Sequence, residues 1–125
     1  MLLRVKLSAL CRYNNRVGAS IEYYFDRKTY AVVEAETISL TLDEPYQRYI
    51  PLYQIDEEQL QDDYINSWND KKMLYEYEHA PYCFEAFIQR RSLANNWWRF
   101  YCKQVSYIAV SWCEEHHIKY ECDIN

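Results

Sequence analysis

Hydrophobic residues recur with two different rhythms along this chain, and the change of rhythm predicts where strands give way to helices. A helical turn is expected near the start, over residues 7–12. In residues 21–36, IEYYFDRKTYAVVEAE, two runs rich in Tyr, Phe, Val and Ile flank the polar residues Asp26 to Lys28. Such side chains suit a pleated surface and the polar residues suit a tight connection, so a β-hairpin pairing residues 21–25 with 30–33 is expected. A third short strand is expected at residues 37–42. In YQRYIPLYQI, Pro51 lacks an amide donor, which confines that stretch to a sheet edge or an extended connection.

From Asp56 the rhythm becomes helical. Acidic residues crowd the start of DEEQLQDDYINSW, where they complement the positive end of a helix dipole. Ile55, Leu60, Tyr64 and Trp68 form a stripe there that can face the hairpin. In MLYEYEHAPYCFEAFIQRRSL the pattern breaks at Pro81, after which Phe84, Phe87, Ile88 and Arg91 keep a helical rhythm. Ser92 is placed to cap a long helix over residues 93–117, about 37 Å at the usual rise per residue. Along it, Trp98, Tyr101, Cys102, Val105, Ile108, Ala109 and Trp112 trace an apolar stripe, while Arg99, Lys103, Ser106 and Glu114 trace a polar one. The expected fold class is α+β, with an N-terminal antiparallel hairpin or small three-stranded sheet packed against C-terminal helices. Trp112, Ile108, Val105, Trp98, Phe84 and Phe87 are the expected centre of the core.

Composition sharpens this picture. Half of the 125 residues are apolar and 18% are aromatic, far from the composition of a disordered chain. A chain of this length buries roughly two-thirds of its unfolded surface, so a single domain over residues 1–125 with one core is expected. One glycine and three prolines leave few residues for tight turns, which disfavours a turn-rich sandwich or barrel. Five cysteines, an odd number without CxxC spacing and without a secretory apolar region before them, are expected to be reduced, in a cytoplasmic protein. No apolar run approaches the ~18 residues that span a bilayer, so no membrane association is expected. The net charge of −5 is uneven: +4 over residues 1–33, −9 over 34–80 and zero over 81–125.

The order VKLSAL, AVVEAE, RYIPLYQIDEEQLQDDYI and FEAFIQRRSLANNWWRFYCKQVSYIAVSWCEEHHIKY resembles the bacterial uncharacterised protein family 0158. The tail carries most of the resemblance, through Trp97, Phe100, Ala109, Trp112, Ile118 and Tyr120. That family's pattern implies a glycine before the long helix and another before the terminal isoleucine, where this chain has Ala94 or Asn95 and His117. The resemblance implies a fold and a bacterial origin, and it brings no activity, cofactor or catalytic residue.

Candidate chemistry is sparse. Asp56, Glu57, Asp62 and Asp63 serve a helix start and a solvated face, or meet a basic protein partner by steering that weakens with salt. As neighbours on a helix they point apart, unlike acid–base pairs set across a cleft. Arg90, Arg91, Arg99 and Lys103, interleaved with Trp97 and Tyr101, have the composition of a surface that pairs phosphates and stacks bases. The competing reading turns those aromatics into the core, and an acidic chain lacks a strongly basic footprint. Cys113, His116, His117 and Cys122 are zinc-competent residue types, but they lack paired ligand spacing, so no metal and no cofactor is expected. No local signature makes any cysteine a nucleophile, and there is no phosphate loop, GxSxG or HExxH. Tyr46, Tyr49, Tyr53, Tyr75 and Tyr77 suit an interface, and equally a small core with exposed hydroxyls. The expectation is a non-catalytic protein–protein interaction or regulatory module acting on an unidentified protein through Asp56, Glu57, Asp62 and Asp63. The alternative is a nucleic-acid-binding protein using Arg90, Arg91, Trp97, Arg99 and Lys103.

Overall fold

The computed structural model describes residues 3–16, 19–37, 48–80 and 83–123. Its elements run β1 (Val5–Lys6), α1 (Leu7–Leu10), β2 (Asn15–Arg16), β3 (Tyr23–Asp26), β4 (Ala31–Glu34), a 3-10 turn (Ala35–Thr37), β5 (Tyr49–Pro51) and β6 (Gln54–Ile55). The helices α2 (Glu57–Asn66), α3 (Lys71–Glu78), α4 (Phe84–Arg90) and α5 (Ala94–Glu115) follow, and β7 (Tyr120–Glu121) comes last. The fold is α+β, as the change of rhythm predicts. The chain packs as two compact units, Met1–Ile55 with Val105–Asn125, and Asp56–Gln104.

In the first unit the hairpin forms with Phe25 opposite Val32 and Asp26 opposite Ala31. β5 adds antiparallel to the other side of β3, giving the order β4-β3-β5. Pro51 therefore lies on an edge strand, where a missing amide costs no ladder hydrogen bond. The strand expected at residues 37–42 lies outside the described residues except for Thr37, which closes the 3-10 turn. Two short parallel pairs, β1 with β7 and β2 with β6, tie distant parts of the chain together. Asp123 accepts from the Ser8 amide at 2.8 Å and also from the Ser8 hydroxyl, supplying the cap that α1 lacks.

The hairpin connection is residues 27–30, one step later than expected, and Asp26 explains why. Its carboxylate accepts from the Lys28 amide at 2.9 Å and the Thr29 hydroxyl at 3.1 Å, and Arg48 Nε lies 3.1 Å away. These bonds fold the turn around the aspartate, and Tyr30 completes it with a left-handed φ of 56°. Buried Asn15 is equally well tied: its Nδ2 donates to the Tyr23 and Leu52 carbonyls, and its Oδ1 accepts from the Tyr23 amide at 2.7 Å. Phe25, fully buried, meets Trp112 of α5 edge to face at 5.8 Å. The Trp112 indole N–H donates to the Pro51 carbonyl at 3.1 Å, so the C-terminal part of α5 packs on the sheet through both ring and hydrogen bond.

The second unit is an aromatic cluster. Tyr64, Ile65, Phe84 and Ile88 are buried, with Trp68, Leu74, Tyr77, Leu93, Trp97 and Phe100 packed against them. Trp97 lies 5.2 Å from Tyr64 and 5.0 Å from Phe84, and Trp68 stacks on Phe87 at 5.7 Å. Tyr64 of α2 and Trp68, just beyond its end, contribute their rings to this cluster. α3 begins at a cap not read from the sequence: Asp70 accepts from the Lys72 and Met73 amides at 3.0 and 3.1 Å.

Three expectations need correction. Trp98 is 61% exposed, its indole stacked on Tyr101 at 5.7 Å, whereas Trp97 turns inward. The inward positions of α5 are Val105, Ala109, Trp112 and Cys113 in the first unit, but Trp97, Phe100 and Tyr101 in the second. The buried face rotates along the helix because its two halves pack on different surroundings, so a stripe extrapolated back from Trp112 lands on the wrong tryptophan. Ile108 is half-buried rather than central, for the same rotation puts it at the margin of the Val105–Ala109–Trp112 face. Finally, Ser92 does not act as an ordinary N-cap. It sits at φ 57°, with its amide on the Gln89 carbonyl at 3.1 Å and the Leu93 amide on Ile88 at 2.8 Å. That is a Schellman ending for α4, and α5 ends in the same way at His117, φ 57°, with the Ile118 amide on Cys113 at 2.8 Å.

Candidate functional site

The acidic residues singled out in sequence come together on α2. Asp56 is its N-cap, accepting from the Gln59 amide at 3.2 Å, so that side chain has a structural task as well as a charge. Glu57, Asp62 and Asp63 are exposed. Asp63 accepts from Gln59 Nε2 at 3.0 Å, one turn away. Glu58, exposed in the same first turn, belongs to this face too and was legible in the DEEQ stretch. The helix EEQLQDDYIN carries no basic residue. Its field reaches the neighbouring cluster: burial first, then the Asp62 and Glu85 carboxylates, hold the Tyr77 phenol above its ordinary pKa.

The basic residues are divided. Arg90 and Arg91 end α4, and Arg91 pairs with Glu76 at 3.1 Å. Both partners of that pair are well exposed, so it adds at most about 1 kcal/mol. Arg99 and Lys103 are exposed one turn apart on α5. Trp97, expected to stack with bases, packs into the cluster instead. The aromatic beside Arg99 that does face solvent is Trp98. Exposed Trp98 and Tyr107 are surface aromatics that sequence reasoning missed, since composition alone does not give the phase of a helix.

The tyrosines split likewise. Tyr53 is buried, Tyr49 and Tyr77 are half-buried, Tyr75 is exposed and Tyr46 lies outside the described residues. The Arg48 guanidinium lies 4.8 Å above the Tyr49 ring.

The cysteine and histidine candidates do not converge. Cys113 is fully buried, and burial, with smaller contributions from Cys11 and Glu114, pushes its thiol up to about 12. That is the opposite of an activated thiolate. His116 packs its ring on Trp112 at 5.1 Å, while His117 occupies the helix ending and Cys122 is exposed. Among the described residues no group of three or more His, Cys, Asp or Glu side chains is arranged to hold a metal ion. Among them, too, no helix is long and apolar enough to cross a membrane.

No protein-family model matches the chain, and neither a curated protein nor a solved structure matches it. The six positions that carry the resemblance to family 0158 are mostly packing positions. Ala109, Trp112 and Ile118 are buried, Trp97 and Phe100 belong to the aromatic cluster, and Tyr120 pairs with Val5. They concern how a chain folds and leave its surface chemistry open.

Proposed function

We propose that this chain is a non-catalytic protein-interaction or regulatory module, working in the cytoplasm, that recognises a basic protein partner through the acidic face of α2. The observation that carries this reading is the exposure of Glu57, Glu58, Asp62 and Asp63 on one short helix without a basic residue. A face of one sign steers a partner of the other and loses strength as salt shortens the screening length. The reading is non-catalytic because these carboxylates stand in solvent rather than across a cleft, and because Cys113 is held as a thiol.

Nucleic-acid binding is the second reading, and one observation favours it in altered form. Trp98, at 61% exposure, neighbours Arg99 and Lys103, so the stacking residue would be Trp98 and not Trp97.

Affinity capture from bacterial lysate, with and without nuclease, separates the two. Wild type is compared with Asp62→Lys/Asp63→Lys and Arg90→Glu/Arg99→Glu, each first shown to melt like wild type. A protein retained by wild type and by the arginine variant, but lost with the aspartate variant, is the expected result. Recovery that nuclease or the arginine reversals abolish, with the aspartate reversals silent, overturns it.

A further inference from the structure

A cavity of about 460 Å³ opens along the C-terminal half of α5, walled by Tyr53 and Gln54 and by Tyr107, Ile108, Trp112 and Glu115. Its chemistry follows from where the polar tips of its rings go. The Trp112 indole N–H is committed to the Pro51 carbonyl. The Tyr53 hydroxyl lies 2.9 and 2.7 Å from the Leu10 and Tyr13 carbonyls, sharing one proton between two acceptors. With those donors committed, the small surface that each side chain leaves open to the cavity, both being 6% exposed, is ring and not donor. Their ring centroids are 6.0 Å apart with planes inclined at 69°, so they approach it from two directions. Tyr107, 56% exposed, stands at the rim.

Glu115 is the one formally charged side chain in the lining, two turns along α5 from Tyr107. The cavity follows the last turns of a 22-residue helix whose carbonyl end is already met by the Arg27 guanidinium, donating to the His116 carbonyl at 2.8 Å, so the negative charge facing the cavity is that of Glu115. Aromatic walls and one carboxylate together favour a cation that is weakly hydrated and large enough to reach from Tyr107 to Glu115. A metal ion finds a single carboxylate here, and the same charge opposes an anion even though Gln54 and Ser111 offer donors. We propose that this cavity binds an alkylated ammonium group, free in solution or carried on a lysine side chain.

The test is an amide-resolved NMR titration of the full chain with choline, with its neutral carbon isostere 3,3-dimethyl-1-butanol, and with a peptide bearing trimethyllysine. Choline is expected to shift Gln54 and residues 107–115 saturably, and the isostere to bind about tenfold more weakly. Glu115→Gln and Tyr107→Ala, both at exposed positions and checked for unchanged melting, should each weaken choline by about 3- to 30-fold. Tyr107→Phe should leave it unchanged. A tighter peptide names a protein side chain as the source of the cation and tighter choline names a free one, and either upholds the site. No saturable shift up to about 50 mM overturns the proposal. Equal binding of the isostere, or variants that leave choline unaffected, overturns it too.

Discussion

The two units hold themselves together by different means. In the first, polar groups enter the interior with their partners: Asn15 binds through both ends of its amide, Asp26 gathers the hairpin turn, and Tyr53 and Trp112 reach backbone carbonyls. In the second, rings pack on rings, and Trp68 Nε1 is buried without a hydrogen-bond partner among the described residues. Directional bonds fix a register, whereas ring packing supplies area and tolerates change of shape. A sheet of strands only three or four residues long needs the former, because a one-residue slip would turn every side chain to the wrong face.

Substitutions break this comparison in a definite order. Trp112→Ala removes a ring, its contact with Phe25 and its bond to Pro51, and should cost about 3–5 kcal/mol by chemical denaturation. An unchanged midpoint would refute its central placement. Asp26→Asn should cost about 1–3 kcal/mol at pH 7 by weakening the Arg48 and Thr29 contacts. Burial alone would raise the Asp26 pKa, but the Arg48, Lys28 and Thr29 bonds outweigh it and hold the carboxyl below its ordinary value. The stability this contributes is full above the unfolded pKa of about 4 and is lost as pH falls through the lower folded value. The gap between wild type and variant should therefore narrow below pH 4 in a pH series of melts, and a constant gap would contradict the assignment. Trp68→Phe should change stability by less than about 1 kcal/mol, since the lost area is offset by removing an unsatisfied donor. A loss as large as that of Trp112→Ala would erase the contrast between the units. Last, His117→Gly should stabilise by up to about 1 kcal/mol, because glycine takes the left-handed conformation at that helix ending without strain.

Much of this architecture is legible in the residues. The hairpin, the edge position forced on Pro51, the helix start at Asp56 and the helix after Pro81 all follow from local chemistry. What escapes is whatever depends on partners distant in sequence. The phase of α5 changes where its packing surroundings change, so Trp97 and Trp98 exchange roles without any local sign. Ser92 looks like a cap because serine usually caps, yet the ending of α4 claims it first. The acidic face was readable because exposed charge needs no partner to be seen. The aromatic cavity was not, since Tyr53 and Tyr107 are more than fifty residues apart.

The central claim is that α2, and not the Trp98 side of α5, is the surface that meets a partner. A photoreactive phenylalanine analogue placed at Glu58 or at Trp98, in otherwise unaltered chain, tests it in lysate with and without nuclease. The account predicts a protein adduct from position 58 that survives nuclease and is suppressed by high salt, with none from position 98. An adduct formed only from position 98, or one that nuclease removes, would contradict it.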